Sequence, residues 1–148
     1  MADVKIGSEW QNYGMISVEG GSTAETTTDA TPRKIAKFTA EKDNGVATAA
    51  HATDGITVAD TGDYYISAFV SFSGTLSKTY HVEVYKGASG TGVALTRKLG
   101  TGGDVGSASC AGIVALTALD VVSLYHASTD GGSAFTMVDG QLNVLRLK

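Results

Sequence analysis

The chain contains one cysteine, one proline and one tryptophan in 148 residues. A single cysteine, Cys110, excludes an internal disulfide and leaves the cellular compartment open. Charged residues make up only 18% of the chain, below the usual quarter. They are 11 basic and 15 acidic, a net charge of −4 (11 − 15). That balance argues against nucleic acid as a partner, because backbone binding needs clustered Lys and Arg. No apolar run approaches the ~20 residues of a membrane helix. The N-terminus, Met1-Ala2-Asp3-Val4-Lys5, carries no basic-plus-apolar leader, so synthesis in a cytosol is expected. What is plentiful is glycine, with 19, together with Ala, Ser and Thr. Few charges and many small residues suit a tightly packed sheet protein, and also one whose surface is partly covered by neighbours. The length fits one domain with a substantial core.

The most informative stretch is Gly62-Asp63-Tyr64-Tyr65-Ile66-Ser67-Ala68-Phe69-Val70-Ser71-Phe72-Ser73. Side chains alternate along a strand, so Tyr64, Ile66, Ala68, Val70 and Phe72 share one apolar face. The other face, Tyr65, Ser67, Phe69 and Ser71, is half aromatic, which is unusual for a surface meeting only water. Alternation recurs over 79–86, with Tyr80, Val82 and Val84 inward and His81, Glu83 and Tyr85 outward. Strands are also predicted at 13–18, 33–38 (Ile35 and Phe38 inward), 46–52, 56–58, 93–99, 107–116 and 121–126. Residues 133–138 read as extended, and Asp139-Gly140 as a turn before a last strand at 141–147. There Leu142 and Val144 face one side, Leu145 and Leu147 the other. Residues 1–12 read as an arm with Trp10 capping one end of the sandwich, and 19–32 as a loop. Turns every ~8–12 residues without an amphipathic helix mark an all-β sandwich. About eight to ten antiparallel strands suit a jelly-roll β-sandwich. The expected division is 1–32 as arm, first strand and loop, and 33–148 as the jelly roll.

Chemistry is thinly represented. The glycine-rich loop at 100–106 lacks the Gly-Lys-Ser/Thr ending and following helix of a phosphate cradle. His51, His81 and His126 have no metal-ligand spacing, although His81 and His126 could meet across a sheet. Cys110 lies on a face with Ala108, Gly112, Val114 and Leu116 and reads as a buried thiol. Asp60, Asp63, Asp104, Asp130 and Asp139 sit in turns and do not form the dense series of a calcium loop. No acid, base, nucleophile or metal cluster stands out, so the expectation is a non-enzyme without cofactor. The anomaly is the second apolar face, Tyr65 and Phe69 with Leu145 and Leu147, since exposed apolar patches mark interfaces.

Three pieces resemble the trimeric jelly rolls of the tumour-necrosis-factor and complement-globular-head type. They are Gly62-Asp63-Tyr64-Tyr65-Ile66, the small-residue strand and turn from Ser109 to Asp120, and the closing strand Gly140 to Leu147. Leu119 departs from the pattern, standing where that family usually has Gly. The resemblance implies that Tyr65, Ser67, Phe69, Leu145 and Leu147 line a three-fold axis. It implies a homo-oligomer, with a trimer favoured over a dimer. The leaderless, Gly/Ala/Thr-rich style also looks like small bacteriophage capsid decoration or cementing proteins. The function expected from these likenesses is a non-enzymatic structural virion protein. It would be made in the host cytoplasm and bind the major capsid protein on the outer shell, without nucleic acid or membrane. The alternative is a carbohydrate- or receptor-binding head, such as a tail-fibre tip, using loops at 100–106 and 129–133.

Overall fold

The structure is a computed structural model that describes residues 12–25, 29–45, 48–129 and 132–148. Trp10, the rest of the expected arm to residue 11, and Thr26 to Thr28 lie outside the described residues. Among the described residues eleven strands follow in chain order: β1 (Tyr13–Val18), β2 (Arg33–Lys34), β3 (Ala40–Asn44), β4 (Thr48–Ala50), β5 (Gly55–Thr57), β6 (Gly62–Gly74), β7 (Thr79–Lys86), β8 (Ser89–Lys98), β9 (Gly106–Leu116), β10 (Val121–Ser128) and β11 (Phe135–Arg146). They form two antiparallel sheets, β3-β1-β11-β6-β9 and β4-β5-β10-β7-β8, with β2 paired to β10. The protein is an all-β jelly-roll sandwich, as its turn spacing predicts.

The core lies between the inner faces of the two sheets. Tyr64, Ile66, Ala68, Val70 and Phe72 from β6 are buried there, against Val82 and Val84 of β7 and Leu142 and Val144 of β11. Full burial of each large apolar side chain contributes about 1.5–3 kcal/mol. Four rings close one end. Phe72 stacks on Phe135 at 4.9 Å and meets Tyr80 edge-on at 5.2 Å, while His126 stacks on Phe135 at 4.5 Å. The buried phenols keep their polar tips bonded. Tyr80 Oη donates to the Ala134 carbonyl (2.5 Å) and accepts from the Thr75 amide (2.8 Å), and Tyr64 Oη donates to the Asp60 carbonyl (2.7 Å).

Several elements differ from the sequence expectation: β3 lies where no strand is predicted, the strand predicted at 46–52 appears as β4 followed by a 3-10 turn over His51–Thr53, and three others differ as follows. β11 is one strand from Phe135, and Asp139-Gly140 is no turn. A register shift between Met137 and Asp139 lets the strand pass through. Gly140 then faces inward, where a Cβ would stand 2.8 Å from Met137 Sδ. Among the described residues between β1 and β3, regular pairing is confined to Arg33–Lys34, yet Ile35 and Phe38 are buried as expected because the segment crosses the core's rim. Its backbone bonds alternate between sheets: the Ile35 amide donates to the Leu124 carbonyl and the Thr39 amide to the Ser17 carbonyl. β8 begins at Ser89, four residues before the strand predicted at 93–99, because the hairpin closes tightly over Gly87 and Ala88.

Candidate self-association face

The outer face of the five-stranded sheet is built row by row from strand pairing. Residues directly opposite in neighbouring strands project to the same side. Tyr13 of β1 pairs with Leu145 of β11, Leu145 with Tyr65 of β6, and Tyr65 with Ile113 of β9. This row of four large apolar side chains crosses four strands and is exposed, Ile113 most of all at 65%. The next row is Met15, Asn143, Ser67 and Ala111, and the third is Ser17, Gln141, Phe69 and Ser109. None of these twelve side chains is charged.

The polar side chains of the second and third rows are linked. Gln141 Nε2 donates to Asn143 Oδ1 (2.7 Å), and Asn143 Nδ2 donates to Ser67 Oγ (3.2 Å). Beside this chain, a depression of about 340 Å³ opens between Tyr65 and Phe69, bounded on the β9 side by Ser109, Cys110 and Ala111. Cys110 itself packs against the core rim, half-buried, and burial pushes its thiol pKa up, away from thiolate chemistry.

Tyr65, Phe69, Leu145 and Leu147 are each exposed, and Ser67 is half-buried between Tyr65 and Phe69. Pairing brings Tyr65 beside Leu145, while Phe69 stands two rows away and Leu147 lies beyond the end of β11. Sequence reasoning missed Tyr13, Ile113 and Asn143. Alternation places each on the outer side of its strand, but only the register between four strands, distant in sequence, assembles them.

The other candidate chemistries come apart. His81 and His126 do not meet. His126 pairs with Val82 on the inner side of β10, whereas His81 faces outward beside Ala127. There His81 lies 3.2 Å from Thr96 Oγ1 and 3.4 Å from Glu83 Oε2. His126 is buried, with neither ring nitrogen hydrogen-bonded among the described residues. Desolvation, reinforced by Arg33 across the ladder, lowers its pKa to about 4. In the glycine loop, Asp104 Oδ2 accepts from the Gly100 amide (3.2 Å) and from Arg97 (3.5 Å). The loop's own carboxylate therefore occupies an amide that a phosphate cradle would need free.

No protein-family model matches the chain, and no curated protein matches it in sequence. Solved structures do. The globular domain of zebrafish complement 1qA superposes with TM-score 0.62 at 12% identity, over 93% of this chain and 98% of that one. Murine APRIL matches with TM-score 0.54 at 15% identity, over 91% of this chain and 99% of that one. PRD1 vertex protein P5 matches with TM-score 0.57 at 11% identity, over 93% of this chain and 98% of that one. Likeness at this identity speaks to the backbone, and the backbone runs nearly end to end in all three. The fold of this protein is the jelly roll of the tumour-necrosis-factor and complement-globular-head type.

Proposed function

We propose that this chain is a non-enzymatic structural virion protein, a phage capsid decoration or cementing protein. It acts as a homotrimer closed through the outer face of the five-stranded sheet. The observation that carries this reading is the uncharged, three-row ladder headed by Tyr13, Leu145, Tyr65 and Ile113. A face of that size without charge is poorly suited to bulk water and well suited to a neighbouring copy. Tyr65, Ser67, Phe69, Leu145 and Leu147 are its contact residues, joined by Tyr13 and Ile113. Each apolar side chain buried there contributes on the order of 1.5–3 kcal/mol. The fold-level likeness to PRD1 vertex protein P5 supports the virion setting. In that role the trimer bridges neighbouring copies of the major capsid protein on the shell's outer surface, and several modest contacts act together.

The testing measurement is native mass by light scattering on a sizing column. Three chains of 15.1 kDa give a ~45 kDa particle. A monomer of 15.1 kDa overturns the self-association reading. Capsids that gain no heat resistance on adding the trimer overturn the decoration role.

A further inference from the structure

The tight turn from β9 to β10 presents a leucine where both backbone and solvent disfavour one. Leu119 has φ of +73°, the left-handed region that favours glycine. Its side chain is 75% exposed, the highest value among the exposed large hydrophobic residues described. Glycine would relieve the backbone and remove the exposed apolar surface together.

The turn is also held rigidly. The Leu119 amide donates to the Val58 carbonyl (2.8 Å), and the Val58 amide donates to the Asp120 carbonyl (3.0 Å). The Asp120 amide donates to the Thr117 carbonyl (2.9 Å), and Asp120 Oδ2 accepts from the Thr117 amide (2.8 Å). The Ala118 amide donates to Thr61 Oγ1 (3.0 Å). A strained, exposed apolar side chain on a five-bond mount has the properties of a preorganised binding anchor: little ordering entropy is lost when it docks.

Its position separates it from the self-association face. Leu119 lies off the sheet face assigned to self-association, at the end of the sandwich where β6 begins and β11 finishes. A three-fold axis running along that face carries three copies of Leu119 to the same end of the trimer. We propose that Leu119 is the anchor by which the trimer grips its shell, each leucine entering an apolar socket of an assembled, three-fold-symmetric protein surface. This rests on the decoration reading for the identity of the surface. Three equivalent anchors give the contact its avidity.

The test is co-sedimentation with empty capsids assembled from the major capsid protein encoded in the same genome, at several protein concentrations. Wild type, Leu119→Gly and Leu119→Met are compared, with native mass and Tm measured for each. Leu119→Gly is expected to stay trimeric, to melt about 2 °C higher as strain is relieved, and to bind capsids at least tenfold more weakly. Leu119→Met, which keeps the apolar knob, is expected to bind within about threefold of wild type. Capsid binding by Leu119→Gly equal to wild type overturns the anchor and leaves the decoration role standing. A Tm fall of several degrees in Leu119→Gly also overturns it, because Leu119 would then be packing within its own trimer. Wild type failing to bind capsids overturns the decoration reading itself, and the anchor with it.

Discussion

The two sheets of this sandwich present opposite outer faces. Across β1, β11, β6 and β9 of the five-stranded sheet, three successive rows contain no charge, and Tyr13, Leu145, Tyr65 and Ile113 stand exposed side by side. On the second sheet, one row runs Lys34, Tyr125, Glu83 and Ala94, and the next Ala127, His81 and Thr96. Aromatic rings occur there too, but Tyr85 and Tyr125 stack on each other at 4.0 Å and 18°, so each ring spends a face on the other. Glu83 and Lys34 flank Tyr125 in its row, Glu83 accepting from the Gly92 amide and Lys34 donating to the Thr53 carbonyl. Both faces carry tyrosines, yet among the described residues only one face leaves its tyrosine rings unstacked. Aromatic content therefore does not distinguish an interface from a wet surface. The distinction lies in whether cross-strand neighbours already satisfy the side chains.

The largest expected effect breaks the apolar face. Tyr65→Asp places a carboxylate in the middle of its row, and the native mass is expected to fall from ~45 kDa to that of one chain. Tyr85→Ser on the opposite sheet should leave the mass unchanged. A Tyr65→Asp trimer would show that this face is not where copies meet.

Acid probes the interior between the two faces. His126 is neutral in the folded protein, with its pKa lowered to about 4, whereas an unfolded chain takes up the proton near pH 6.5. Between those values the unfolded state binds more protons, so stability is full above pH 6.5 and declines as pH falls toward 4. The loss is on the order of 3 kcal/mol. Denaturant melts of wild type against His126→Phe between pH 7 and 4 check this, since the variant should lose that component of the slope.

Smaller changes sharpen the comparison. Ile113→Ser removes the most exposed member of the apolar row and should weaken association by about tenfold while leaving the monomer's stability unaltered, read by dilution of the oligomer. Tyr125→Ala removes the stack with Tyr85 and should cost about 1 kcal/mol in folding without altering native mass. Glu83→Gln is the mildest. Its partly exposed contact with His81 contributes under about 0.5 kcal/mol, so urea midpoints should shift only slightly.

Much of the fold was legible in the sequence. Period-2 alternation in β6 and β7 assigned Tyr64, Val70, Phe72, Tyr80 and Val84 to the core before any pairing was known, and all are buried. The same alternation marked Tyr65, Phe69 and Leu145 as outward and apolar. It misread Asp139-Gly140, because a bulge and a turn draw on the same residue types. It also left His126 free to meet His81, because the face a residue takes in β10 depends on register against β7.

The sequence by itself determined the strand content, the inward set of each strong strand, and the presence of surplus apolar side chains. These follow from local chain geometry, since each strand sends alternate residues to opposite sides. Tertiary structure alone decided which of those side chains stand together. Tyr13 and Leu145 are brought into one row by β1 pairing with β11, and Tyr65 and Ile113 by β6 pairing with β9. It also decided that His126 loses water without gaining a ring hydrogen bond among the described residues, and that Leu119 is held in a left-handed turn by Val58 and Thr61. Those outcomes depend on contacts between segments far apart along the chain, and no local pattern encodes them.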